Sequence, residues 1–251
     1  MVGREEEIPN VGDHLVYNVA GLSFLIVRHA EDGIKAFYNV CRHRGRQLVD
    51  RSGAGAPHFR CAYHAWAFDL EGKLAFYPGA WVFPDVTAKQ YGLREVQFDR
   101  WGGFMFINPD LDAAPLAEHL GGLTKHFETW PLHKRFSLYH VRKRIRANWK
   151  VSIEAFLEAY HLMQTHPQAL PSVAEHATQY DIWDEPGAQY SRSTTPCAVP
   201  SFHSKGGTPL GAIADMWALV NGLRRDAVDS LPEGSTIALR WQSGGARHSA
   251  R

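Results

Sequence analysis

The first part of the chain alternates short apolar runs with turn residues. Gly21-Leu-Ser-Phe-Leu-Ile-Val27 is followed by Asp32-Gly33 and then by Ala36-Phe-Tyr-Asn-Val40. Further on come Phe68-Asp-Leu-Glu-Gly-Lys-Leu74 and Gly103-Phe-Met-Phe-Ile107. Apolar runs of this length, bounded by Asp-Gly or Glu-Gly, read as strands joined by tight turns. The stretch from about residue 10 to about residue 110 therefore predicts a small all-β domain.

After Pro109-Asp-Leu-Asp-Ala-Ala-Pro115 the pattern changes. It predicts a helix near 115–128, a basic strand near 136–147 that alternates around Val141 and Ile145, and a helix from Asn148 to about Gln164. The domain boundary is placed near residue 112, giving an all-β domain over 1–112 and a second domain over 113–251. From residue 168 onward Pro, Gly and Ser mix with short apolar pieces such as Ala214-Asp-Met-Trp-Ala-Leu-Val220. The residues from Trp241 to Arg251 show no periodicity and read as a tail, or as the end of something cut short. The fold class expected is α+β.

Composition and charge narrow the picture. The 251 residues carry a net charge of +1, which makes no global case for nucleic acid. Lys134, Arg135, Arg142, Lys143, Arg144 and Arg146 do crowd into one segment. They read as the solvated face of the basic strand, with a docking surface for an acidic electron-donor protein as the sharper alternative. No apolar run reaches the length of a membrane span, and Met1-Val-Gly-Arg-Glu-Glu-Glu7 lacks the apolar stretch of a secretory signal. A soluble cytoplasmic protein is expected. Three cysteines are too few for a disulfide framework, and Cys197 reads as a buried or idle thiol.

The other two cysteines belong to a repeated pairing. Cys41-Arg-His-Arg-Gly-Arg46 is answered by Cys61-Ala-Tyr-His-Ala-Trp66, each half supplying one thiol and one imidazole. A zinc finger places a cysteine pair first and a histidine pair later, whereas here both halves are mixed, as C-x-H and C-x2-H. A [2Fe–2S] cluster with two thiolates on one iron and two imidazoles on the other suits two β-loops that each give Cys and His. The ligand set is Cys41, His43, Cys61 and His64. Arg44-Gly45 makes a tight turn whose backbone amides can point at sulfide, and Trp66 and Phe68 can shield the cluster. Neutral imidazole in place of thiolate favours the reduced cluster and makes it a good one-electron relay.

With Pro9-Asn-Val-Gly-Asp13 and Asn39-Val-Cys-Arg-His-Arg-Gly45, these runs make residues 8–110 resemble the Rieske domain of Rieske non-haem iron oxygenase α subunits. The family has Gly where this chain has Ala65. That departure touches loop geometry and leaves the ligand identities in place.

A second constellation lies in Asn148-Trp-Lys-Val-Ser-Ile-Glu-Ala-Phe-Leu-Glu-Ala-Tyr-His-Leu-Met-Gln-Thr-His-Pro167. Glu154, Glu158 and His161 are spaced to share a helix face, and Pro167 biases His166 out of the α region, so the helix can end there and both imidazoles converge. Two neutral histidines and one carboxylate, with positions left open, bind iron(II) and activate dioxygen. The stretch also resembles the catalytic helix of the same oxygenase family. By that resemblance His161 and His166 are iron ligands, Glu158 is the bridging carboxylate that links the mononuclear iron to the Rieske cluster of a neighbouring subunit, and Glu154 is a supporting acid. Many members carry Asp where Glu158 stands and Asn where Ala155 stands.

The resemblance implies a Rieske domain followed by part of a catalytic domain with an antiparallel sheet and helices, helix-grip-like. It also implies O2-dependent hydroxylation or oxidative demethylation of a small organic substrate, electrons from NAD(P)H through a separate reductase or ferredoxin, and a homotrimer. The family's third iron ligand is a carboxylate further along than this chain extends. Only 85 residues follow His166, and Arg4-Glu-Glu-Glu-Ile-Pro9 enters the family pattern after its N-terminal segment, so the chain is expected to be truncated at both ends, with impaired or no turnover. Asp181, Asp184, Asp215, Asp226 and Asp229 are the acids within reach, each reading as a solvated charge. Phe156, Tyr160, Trp183 and Trp217 read as core, or as the wall of an apolar pocket. Two rival readings are a pure Rieske electron carrier and a non-catalytic remnant.

Overall fold

The computed structural model describes residues 1–137, 144–185, 188–197 and 199–204. Two compact units divide the chain, Met1–Ser137 and Leu138–Arg251.

The first unit is built from nine strands. Its middle sheet joins β2 (His14–Val19), β3 (Leu22–Arg28) and β4 (Ile34–Tyr38) in the order β2-β3-β4, all antiparallel. Val19 pairs with Leu22 across the two-residue turn Ala20-Gly21, and both turn residues have positive φ, as a turn matching strand twist requires. Phe24, Leu25, Ile26 and Val27 are each no more than 1% exposed. Successive side chains point to opposite faces, so a strand buried on both faces reads as a continuous apolar run. Leu25 and Val27 enter one core with Phe37, Phe59, Trp66, Phe68 and the two cysteines. Phe24 and Ile26 enter another with Val2, Ile8, Val96 and Met105. Full burial of each such side chain contributes about 1.5–3 kcal/mol.

β1 (Gly3–Arg4), β8 (Gln97–Trp101) and β9 (Phe104–Asn108) form a second sheet in the order β1-β9-β8. A third, β5-β6-β7, joins β5 (Phe59–Arg60), β6 (Ala67–Phe68) and β7 (Leu74–Phe76).

The helix expected near 115–128 is two short helices, α1 (Leu116–Leu120) and α2 (Leu123–His126). Gly121 at φ 46° and Gly122 between them break the ladder. This segment belongs to the first unit, where Trp101 meets Phe127 edge-on at 5.7 Å and Arg4 Nη2 donates to Leu132 O at 3.3 Å.

In the second unit, the helix expected to run unbroken from Asn148 is interrupted. α3 (Trp149–Glu154) starts where the Asn148 side chain accepts from Lys150 N, and α4 (Leu162–Thr165) follows after a break. An antiparallel hairpin, β10 (Gln179–Glu185) and β11 (Ala188–Thr194), comes next. The central part of the expected basic strand, residues 138–143, lies outside the described residues, and 144–147 form no strand. Residues 214–220, Asp215, Asp226, Asp229 and Trp217 also lie outside them. Cys197 is exposed, not buried, with Sγ 3.5 Å from Thr195 O. Phe156 and Tyr160 are 84% and 82% exposed, so neither is core. Among the described residues no helix is long and apolar enough to cross a membrane.

Candidate metal centres

The two Cys-His halves fold into matching loops. Cys41 N donates to Arg46 O at 2.8 Å and Gly45 N returns to Cys41 O at 3.0 Å. Cys61 N donates to Trp66 O at 2.8 Å and Ala65 N returns to Cys61 O at 3.0 Å. Each loop thus closes on itself within six residues. The fourth residue after each cysteine has positive φ, 73° at Gly45 and 57° at Ala65. Glycine holds that conformation without steric cost, whereas alanine is strained in it by about 1–2 kcal/mol.

Behind the first loop, Asn39 is fully buried and bonded at both ends of its amide. Its Nδ2 donates to Val49 O at 2.6 Å and to Ser23 Oγ at 3.1 Å, while its Oδ1 accepts from Val49 N at 2.9 Å. These bonds tie the loop entrance to β3.

The loops sort their ligand types by depth. Cys41 and Cys61 are 2% and 3% exposed, whereas His43 and His64 face outward. The rings of His43 and His64 meet edge-to-face at 4.7 Å, and the two thiols lie within hydrogen-bonding reach of each other. Trp66, 6% exposed, stacks flat on His43 at 5.0 Å with planes 9° apart. Tyr63 leans on His64 at 3.8 Å. Phe68 is fully buried in the core beneath.

Burial pushes the Cys41 thiol up and the neighbouring Cys61 adds to that, while the backbone N–H groups of His43 and Arg44 point at the sulfur and oppose it. The His43 ring is held below its ordinary range by desolvation and then by the positive charges of His64 and Arg44. A neutral imidazole is the form that ligates a metal. Arg42, between Cys41 and His43, keeps its Nε buried with no hydrogen-bond partner among the described residues. Two soft thiols inside and two imidazoles outside fit a [2Fe–2S] cluster with one iron of each kind.

The second constellation converges differently. His161 caps α4 at its start and His166 at its end, where φ −130° and ψ 53° take the backbone out of the helix. Their rings stand 5.5 Å apart at 75°. Glu158 accounts for the break before them. Its Oε2 accepts from the backbone N–H of Tyr160 and of His161, the latter at 3.1 Å, donors that a continuous helix would have used internally.

The other oxygen of Glu158, Oε1, takes the hydrogen bond of His161 Nδ1. That bond and the backbone donors hold the Glu158 carboxyl below the usual range against partial desolvation. With Nδ1–H donated to Glu158, the lone pair of His161 Nε2 is left for a metal, the arrangement that fixes a metal-bound histidine. Glu154, expected as a supporting acid, is exposed, and its carboxylate makes no hydrogen bond among the described residues; only its carbonyl accepts, from Leu157 N at 3.0 Å. Asp181 is paired with Arg192. Among the described residues no three His, Cys, Asp or Glu side chains are arranged to hold one ion, so neither constellation is a three-ligand mononuclear site by itself.

A third cluster was not singled out from the sequence. Glu175, 6% exposed, accepts at Oε1 from Ser201 Oγ at 2.8 Å and from His203 Nδ1 at 2.7 Å. Its members lie 26 and 28 positions apart, with no local pattern to announce them.

Comparison with known proteins decides the family. Residues 1–84 match the Rieske [2Fe-2S] domain, and residues 124–223 match the ring hydroxylating alpha subunit catalytic domain. The chain belongs to the Rieske non-haem iron oxygenase α subunits. Among its relatives in that family, the carnitine monooxygenase oxygenase subunit of Escherichia coli (strain K12) is 34% identical over 174 residues, covering 68% of this chain and 46% of the relative. The anthranilate 1,2-dioxygenase large subunit of Burkholderia cepacia is 33% identical over 66% of this chain and 41% of its own length. A crystal structure of a quaternary ammonium Rieske monooxygenase superposes with a TM-score of 0.66 at 28% identity, over 73% of this chain and 52% of that one. The chain spans about half the length of the curated relatives it matches. A [2Fe–2S] cluster and a mononuclear iron are the cofactors of a Rieske oxygenase, and both constellations fall inside the matched spans.

Proposed function

We propose that this chain acts as the terminal oxygenase component of a system that hydroxylates, or oxidatively demethylates, a small organic substrate with O2. Cys41 and Cys61 would hold one iron of the cluster, and His43 and His64 the other. His161 and His166 would hold iron(II). When bound, the cluster supplies single electrons and the iron(II) supplies the site at which dioxygen is activated. The electrons come from a separate NAD(P)H-dependent reductase or ferredoxin, and the working assembly is a cytoplasmic homotrimer. The Rieske and catalytic domains meet near residue 112.

The residues have distinct tasks. Trp66 holds the His43 ring plane and shuts water from one face of it. Glu158 orients His161 through Nδ1 and is the carboxylate through which cluster and iron communicate between subunits. The observation that carries this reading over a simple electron carrier is the Glu158–His161–His166 arrangement, which an electron carrier has no use for.

The relatives' own names point to two substrate classes, quaternary ammonium compounds and aromatic acids. The test is a metal count after anaerobic reconstitution, with EPR of the dithionite-reduced protein. Cluster iron plus one further iron(II), lost in His161→Ala, is the expected result. Cluster iron alone points to an electron carrier, and a single tetrahedral zinc removes the reading altogether. Turnover with carnitine, glycine betaine and anthranilate then separates the substrate classes.

A further inference from the structure

Glu175 is a costly residue in its position. Oε1 accepts two hydrogen bonds, but Oε2 is buried and has no hydrogen-bond partner among the described residues. A buried acid with an orphaned oxygen is destabilising compared with an apolar side chain of the same size. Stability alone does not account for a glutamate here.

Its partners show what it joins. Ser201 and His203 belong to a strap that runs alongside the segment after His166. Ala174 N donates to Pro196 O at 3.0 Å, Val173 bridges Cys197, and Ser201 N donates to Leu170 O at 2.8 Å. Leu170 is in turn two links from the histidine. Leu170 N donates to Pro167 O at 3.3 Å, Ala169 N to His166 O at 2.9 Å, and Ser172 N to Ala169 O at 2.9 Å. Leu170, Ser172, Ala174, Glu175 and Ser201 are all buried, whereas His166 itself is exposed. The backbone of His166 therefore depends on a turn whose far end is clamped by the strap.

We propose that Glu175 is a positioning residue for the iron site, pinning the strap over 199–204 through Ser201 and His203 so that the turn after His166 holds this ligand in place. The inference rests on the assignment of His161 and His166 as iron ligands. Glu175 touches neither of them; it acts through Leu170 and the 167–172 turn.

The test is anaerobic titration of the full chain with cobalt(II), read by its visible d–d bands, alongside amide exchange of the strap and EPR of the reduced cluster as a fold control. Glu175→Ala is expected to weaken cobalt binding at least tenfold and to speed exchange at Ser201 and His203, with the cluster signal unchanged. Glu175→Gln keeps an oxygen for both donors and is expected to stay within about threefold of the parent. If Glu175→Ala fails to fold, Ser201→Ala takes its place, with an expected weakening between those two. Parental cobalt affinity in a variant whose strap exchanges freely overturns the positioning role and leaves the iron assignment standing. No histidine-dependent cobalt binding in the parent overturns the iron assignment, and this inference with it.

Discussion

The cysteine–histidine loops and the His161–His166 segment contain the same kind of chemistry built in opposite ways. In the loops, each ligand pair sits on a turn closed by its own two backbone bonds, the thiols are sunk in a core, and an indole stacks on one imidazole. Around His161 and His166 the helix between the two histidines is about one turn long, Phe156 and Tyr160 are exposed, and the ordering bonds come from one carboxylate and a distant strap. The first site is made by local sequence. The second is made by what packs on it, so it is the site that remote residues can tune.

The largest effect that separates the two is loss of a ligand. Cys61→Ala should abolish the cluster's visible absorption and EPR signal, whereas His161→Ala should leave both intact while removing the mononuclear iron. A cluster that is lost in His161→Ala would show that the two sites assemble together. Next comes packing of the same residue type in each region. Trp66→Ala should cost about 3–5 kcal/mol in denaturant unfolding, because it empties a buried site, while Trp149→Ala should stay within about 0.5 kcal/mol. Trp149 is 67% exposed against 6% for Trp66, and equal losses would contradict the contrast.

Glu158→Gln sharpens the comparison on the catalytic side. Both metals should remain bound while cluster oxidation in a single turnover slows by about 10- to 100-fold, the usual weight of an orienting partner. A parental rate would take the coupling role away from Glu158. The smallest effect is in the second loop. Ala65→Gly relieves positive φ and should raise the unfolding free energy by about 1 kcal/mol, and Gly45→Ala should lower it by a similar amount. Thermal melts of the two variants that move in the same direction would show that the loops are not equivalent.

The same contrast governs what was legible in the sequence. The four residues assigned to the cluster stood out because thiol and imidazole alternate within three or four residues, and each loop that holds them is no longer than the motif. The strands β3, β4 and β9 were legible as apolar runs, and the β6–β7 hairpin by its Glu-Gly turn, while β5 and β8 are too short or too polar to show. His161 and His166 are assigned to iron from their type, their spacing and the resemblance to the family's catalytic helix. The break before them was not legible, because a glutamate reads as a helix former until its carboxylate is seen taking the N–H groups of Tyr160 and His161. Ala65 appeared only as a departure from glycine, and its cost needed the backbone angle. Glu175, Ser201 and His203 are joined across the chain by tertiary packing alone, for which spacing carries no signal.

The self-closure of each loop also bears on how much of the motif is requirement. Cys41 to Arg46 and Cys61 to Trp66 are complete turns before the chain between them is considered. That connection is anchored by Leu48, Val49, Gly53 and Gly55, but Pro57 and His58 lie exposed at its outer end. Extra residues inserted between Pro57 and His58 would lengthen a surface excursion without moving either turn, and doubling such a loop costs only about 0.6 kcal/mol of closure entropy. The distance in sequence between the halves is thus a property of the connection, and relatives of this site can differ in it freely while keeping both turns.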